Sequence, residues 1–254
     1  MTAKLAFPGS AAPGPIARRV GLMRQKGPPE AHGPPRKLLL GELASPLEPL
    51  LRPFRPPLVL PKTQQPRVVI LLPGFGTHPL RMRYMARQLE RAGHKVKRWG
   101  LGFNLGPTEA NFALLEERVR QVRARYGQNV VLVGWSLGGI FARELAKRHP
   151  DLVAKVVTMG TPFSGSLYAN NAWRIYQLVT GHSIDQPPIE AQVSLKPPVE
   201  TVALWSPRDG VIAPRSACGR RGERDRATAL RCTHLGFAHS AEAIRAVFEE
   251  LERG

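Results

Sequence analysis

NVVLVGWSLGGIFARELAKRH, residues 129–149, changes character at its centre. Val130 to Val133 form a short β-branched run of the kind that suits a strand buried on both faces. Beyond Gly138 the pattern becomes that of an amphipathic helix, with Phe141 and Leu145 four apart. The junction reads Gly134-x-Ser136-x-Gly138. A serine at so sharp a strand-to-helix turn has a strained backbone that lifts its hydroxyl above the sheet, and small flanking residues leave room for the turn and its neighbours. The five-residue pattern alone is weak; its strand, turn and helix setting makes it informative. Ser136 is therefore the candidate nucleophile, with Gly134 and Gly138 shaping its elbow.

Outward from this point, strands and helices alternate. Upstream, RVVILL (67–72) reads as a buried strand closed by the turn PGFG. Leu80, Met82, Met85 and Leu89 share one face of a helix that stops at Gly93. HKVKRW (94–99) is a second strand, followed by the glycine-rich loop GLGFNLG. A helix from about Thr108 then carries Phe112, Leu115, Val119, Val122 and Tyr126 at helical spacing. Downstream, AKVVTM, ETVALW and ATALRC continue the strands, and AEAIRAVFEELER closes the chain as a helix. The expected class is α/β, with about six mainly parallel strands and helices on both faces. Residues 63–254 would form this domain. The interval 163–198 interrupts the alternation with the aromatic helical stretch NAWRIYQLVTG, and reads as a small cap inserted between the fourth and fifth strands.

The N-terminal quarter differs. Residues 1–35 hold seven prolines and five glycines, a composition expected to stay disordered or of low complexity. From 36 to 62, Leu38, Leu39, Leu43, Leu47, Leu50 and Leu51 recur three or four apart, so a leucine-rich helical segment is expected to rest its apolar face on the domain. The sharper alternative is an amphipathic membrane anchor, but the stretch lacks Trp and carries few basic residues.

The 254 residues carry a formal net charge of +18. Such a charge allows weak attraction to anionic membrane surfaces. The arginines are spread over nearly every expected surface helix rather than gathered among aromatics, which argues against a specific nucleic-acid partner. No apolar run reaches the roughly 18 residues needed to span a bilayer, and no secretory leader is apparent, so a soluble, cytoplasmic protein is the default. The two cysteines, Cys218 and Cys232, cannot make a disulfide scaffold or a four-cysteine zinc site, and are read as free thiols.

A lone serine is a poor nucleophile and needs a base, itself oriented by an acid. Behind an elbow of this kind the expected chain order is Ser, acid, His. Asp209 fits the acid, because the short turn SPRDG after ETVALW brings it to the same carboxyl edge of the sheet. His234 fits the base, since it follows the last strand. His239 competes, but falls near the start of the closing helix. The backbone N–H groups of Leu137 and Phe75 are placed to receive a developing oxyanion. Trp135, Trp173, Tyr176 and His78 are candidate substrate contacts. No metal and no organic cofactor is required.

Together LLPGFG, WGLGFNLGP, GWSLGG, MGTPFSGS, WSPRDGVIAP and THLGFA resemble α/β-hydrolases of the bacterial esterase and triacylglycerol-lipase kind, from about Arg67 to the C-terminus. The resemblance implies that Ser136, Asp209 and His234 act as a triad and that Phe75 and Leu137 supply the oxyanion hole. One departure is that many relatives carry His-Gly at the oxyanion turn, where this chain has Pro73-Gly74. The implied activity is hydrolysis of a small or lipid-like carboxylic ester through an acyl-enzyme. Acyl transfer or thioester hydrolysis would use the same triad, and a non-catalytic scaffold binding anionic surfaces is the rival from another class.

Overall fold

The computed structural model describes residues 14–43, 57–189 and 191–253. Six strands form one sheet: β1 Val68–Leu72, β2 Lys95–Arg98, β3 Val130–Trp135, β4 Val153–Met159, β5 Glu200–Trp205 and β6 Arg226–Ala229. Their order is β2-β1-β3-β4-β5-β6, and every pairing is parallel. The chain runs outward from β1 to β2 and then returns to place β3 on the other side of β1. At such a reversal the connections leave the strand ends in opposite directions and open a crevice at the carboxyl edge.

Alternation along the strands sorts their side chains onto two cores. Val69, Leu71, Val131, Val133, Val157 and Val202 face one side, where they meet Met85 and Leu89 of α3 (Arg83–Ala92) and Ile244 and Val247 of α8 (Ala241–Glu252). Val68, Ile70, Leu72, Val130 and Leu132 face the other, against Phe112, Leu115 and Val119 of α4 (Glu109–Tyr126) and Phe141 and Leu145 of α5 (Leu137–Arg148). Side chains pointing to opposite faces at every second residue require both faces to be covered. Each large apolar side chain so buried contributes about 1.5–3 kcal/mol, which holds the strand ends, and the loops on them, in place.

Helix limits follow local chemistry. Thr108 caps α4 by accepting the Asn111 N–H at 3.1 Å, and Ser240 caps α8 by accepting that of Ala243 at 3.2 Å. Between β4 and β5 the insertion carries α6 (Trp173–Thr180). A short α7 (Pro214–Cys218) lies between β5 and β6. No described helix is long and apolar enough to cross a membrane.

The N-terminal expectations need two corrections. Within 1–35, Pro15–Met23 forms a helix, α1, that lies against α6. Its order comes from docking on the insertion, a tertiary contact that composition does not register. The segment after it forms a single 3-10 turn, Arg36–Leu38, and a one-turn helix, α2 (Leu39–Glu42). Its leucines divide: Leu39 and Leu43 are exposed and Leu38 is half-buried, whereas Leu58 is buried with Leu60 packed beside it on the core, and at the end of α2 it is Glu42 that is buried. Leu47, Leu50 and Leu51 lie outside the described residues.

Candidate active site

β3 ends at Trp135, and Ser136 follows with φ 54° and ψ −122° before α5 begins. Among the described residues it is the one non-glycine with a positive φ, a conformation that brings Cβ into steric conflict with the backbone. It persists because both sides are fastened. The Ser136 N–H donates to Met159 O at the end of β4 (2.8 Å), and its carbonyl accepts from Gly139 N (3.0 Å). A Cβ on Gly134 would stand 2.4 Å from Gly138 O, and one on Gly138 would stand 2.3 Å from Leu72 O. The two elbow glycines therefore answer to close backbone approach: first of the helix to its own strand, then of the helix to β1.

Asp209 follows β5 and is fully buried. Its Oδ1 accepts the N–H groups of Val211 (2.8 Å) and Ile212 (2.7 Å), which leaves Oδ2 for His234, whose Nδ1 donates at 2.8 Å. Nδ1–H pointing at the carboxylate leaves Nε2 of neutral His234 as a proton acceptor. Desolvation by burial pulls the His234 pKa down, but the Asp209 carboxylate, by charge and hydrogen bond, and the Glu42 carboxylate push it up, and the balance lies above the ordinary 6.5. His239, the competing base, sits at the end of the 3-10 turn Leu235–Ala238; the imidazole bonded to Asp209 is that of His234.

The loops of the acid, the base and the elbow are tied to one another. Trp135 Nε1 donates to His234 O at 3.0 Å, and Ser206 Oγ donates to Cys232 O at 2.6 Å. The Ser136 hydroxyl takes no hydrogen bond among the described residues. In ligand-free hydrolytic sites such bonds commonly tighten only once substrate is in place.

The loop after β1 also approaches Ser136. A Cβ on Gly74 would be 3.3 Å from that of Ser136, so Phe75 follows directly beside that serine. Leu137 opens α5, where an N–H has no partner within the helix. No hydrogen bond among the turns and loops of the described residues uses the N–H of either Phe75 or Leu137. The loop is braced by Asn104, which is fully buried. Its Nδ2 donates to Pro73 O at 2.7 Å and its backbone carbonyl accepts from Gly76 N at 2.7 Å. Sequence reading missed Asn104, although a lone amide within GLGFNLG was a signal available for it.

Above Ser136 a cavity of about 120 Å³ opens, walled by Phe75, Leu137, Ile140 and Phe112 from the domain and by Trp173 and Tyr176 from the insertion. Ser136, Glu144, Asn170 and Tyr176 are among its lining residues, and burial pushes the Tyr176 pKa up. Two expected contacts fall elsewhere. Trp135 is buried in the core beneath the elbow, where its indole holds the His234 loop instead of meeting the cavity. His78 starts the 3-10 turn Pro79–Met82, with Nδ1 accepting from Leu80 N and its ring beside Phe103, away from the cavity wall.

Residues 67–178 match the family model described as alpha/beta hydrolase fold. The solved structure of 2-hydroxy-6-oxo-6-phenylhexa-2,4-dienoate hydrolase from Rhodococcus sp. strain RHA1 superposes with a TM-score of 0.56 over 76% of this chain and 92% of that one, at 14% identity. This chain has the α/β-hydrolase fold. A Bacillus licheniformis lipase superposes with a TM-score of 0.53 at 17% identity, covering 78% of this chain and 96% of the lipase. By sequence, the chain is 32% identical over 108 residues to pimeloyl-[acyl-carrier protein] methyl ester esterase of Vibrio cholerae. That match spans 42% of this chain and 40% of the relative's length.

Proposed function

We propose that this α/β-hydrolase cleaves carboxylic esters by way of an acyl-enzyme on Ser136. The observation that carries the reading is the buried Asp209–His234 pair, Oδ2 to Nδ1 at 2.8 Å, at the same strand-end rim as the elbow serine and beside an apolar cavity. In the proposed cycle, His234 Nε2 takes the Ser136 proton as Oγ attacks the carbonyl. Asp209 holds the tautomer that makes Nε2 available and stabilises the imidazolium that forms. The oxyanion is received by the N–H groups of Leu137 and Phe75, and the imidazolium returns its proton to the departing alcohol. Water, activated by the same base, then releases the acid.

The wall of the cavity supports an acyl chain or another apolar group as the substrate's main handle, since a polar handle would leave its hydrogen bonds unmade there. The esterase named among the relatives supports ester chemistry on the matched segment. A fluorophosphonate probe should label one peptide, that containing Ser136, and p-nitrophenyl esters should give a burst of phenolate. Both signals should vanish in Ser136→Ala; equal turnover by that variant refutes the reading.

A further inference from the structure

The loops that carry Asp209 and His234 are also held from the N-terminal side. From α1 onward the chain runs along the insertion and then across both loops. Arg19 donates to the carbonyls of Leu178 and Val179 at the end of α6, and Gln177 Nε2 donates to Leu22 O at 2.6 Å. Further on, Asn171 Nδ2 donates to both Pro34 O (3.1 Å) and Gly210 O (2.8 Å). Leu38 O then comes so close to Gly210 that a Cβ there would stand 2.6 Å away. The path ends at Glu42, which is 6% exposed.

Both oxygens of the Glu42 carboxylate accept from backbone donors. Oε1 accepts the N–H groups of Gly210 (3.0 Å) and His234 (2.7 Å), and Oε2 accepts that of Leu235 (2.8 Å). Gly210 follows the acid in the chain, and His234 is the base itself. One carboxylate thus bridges the two loops with three charge-assisted hydrogen bonds, the strong kind. Among the described residues the donors to its carboxylate are these backbone N–H groups, with no ion pair.

We propose that Glu42 is a positioning residue for the Asp209–His234 pair: it fixes the separation of the two loops, and its buried charge favours the imidazolium that forms during turnover. The proposal rests on the catalytic reading of Ser136, Asp209 and His234. The ionisable groups acting on the His234 imidazole are Asp209, from the loop after β5, and Glu42, from α2. The Cys232 thiol two residues upstream is pushed up to about 12, chiefly by burial, and stays neutral.

Glu42→Gln keeps the shape but removes the charge, and leaves one oxygen to do the work of two, with an amide NH₂ facing the Leu235 N–H. A general base works only when unprotonated, so activity falls as the pH drops through its pKa. Both carboxylates raise that pKa, so removing one moves the acid limb of kcat/KM to lower pH. Measured per fluorophosphonate-titrated site on the full chain, kcat of Glu42→Gln should fall by about tenfold to a hundredfold, as expected for a catalytic group displaced by up to an ångström. KM should stay within about twofold, because Glu42 does not line the cavity.

The His234 imidazole, followed by NMR, should titrate at lower pH than in the wild type, and this readout needs no turnover. A wild-type chain without Ser136 labelling would therefore defeat the catalytic reading while still reporting on Glu42. An imidazole titrating at the wild-type pH in Glu42→Gln overturns the proposal, as does an unchanged kcat per site. If that variant does not fold, Glu42→Asp carries the test. It keeps the charge but shortens the reach, and should lose kcat with less movement of the acid limb; wild-type kcat there overturns the proposal.

Discussion

Gly138→Ala places a methyl group where the structure has no room for one. The new Cβ would stand 2.3 Å from Leu72 O, and 2.7 Å from both Leu72 C and Pro73 O. Ordinary contact to a carbonyl oxygen needs about 3.3 Å, so α5 and the end of β1 must separate by roughly 1 Å. All three obstructing atoms are backbone, and no side chain can swing aside to absorb the change. Overpacking of this kind costs about 1–3 kcal/mol, equivalent to a drop of about 3–10 °C in Tm for a chain of this length.

The displacement has a direction as well as a size. Leu137 precedes Gly138, and Phe75 follows Leu72 by three residues, so the two N–H groups assigned to the oxyanion are driven apart. A misplacement of about 1 Å costs about a hundredfold in rate. Gly21→Ala, in α1, is the control: its Cβ meets nothing within 4 Å, and helix propensity favours Ala by up to about 1 kcal/mol. Thermal melts and p-nitrophenyl ester kinetics on both variants test the argument. If Gly138→Ala melts with the wild type and keeps its kcat, the close approach of helix to strand is not what positions the donors.

Asp209→Asn should lower kcat by about 10⁴ while the chain stays folded. Because Oδ1 is committed to the N–H groups of Val211 and Ile212, the amide NH₂ must face His234 and would drive its proton onto Nε2, the nitrogen needed as acceptor; full activity in that variant would count against the assigned roles. The two thiols should differ toward iodoacetamide at neutral pH: Cys232, buried and with its pKa pushed up to about 12 by desolvation and then by Glu242, should stay unmodified until the chain unfolds. Half-buried Cys218 should react first, and mass mapping showing the reverse order would contradict the burial of Cys232.

Features carried by short runs of sequence were legible. Strands β1 and β3 announce themselves as β-branched runs, α4 as a stripe from Phe112 to Tyr126, and the elbow as two glycines about a serine. The assignment of Asp209 and His234 also needed only chain order and the end of a strand, and the structure brings these two into contact. Trp135 and His78 show where such reading stops. An aromatic beside the nucleophile can face the cavity or the core, and the pleat of β3 turns Trp135 to the core.

What the sequence by itself determined is the alternation of strands and helices and the choice of Ser136, Asp209 and His234 as the side chains proposed to react, because hydrophobic period and turn chemistry act within a few residues of one another. Only the tertiary structure decided the role of the N-terminal segment. Leucines that repeat at helical spacing should pack inward, yet Leu39 and Leu43 are exposed while Glu42 is buried. The reason lies 168 to 193 residues away, in three backbone N–H groups on the loops of the acid and the base. Left unpaired in a buried place, each would cost about 1–3 kcal/mol, and no local pattern records that demand.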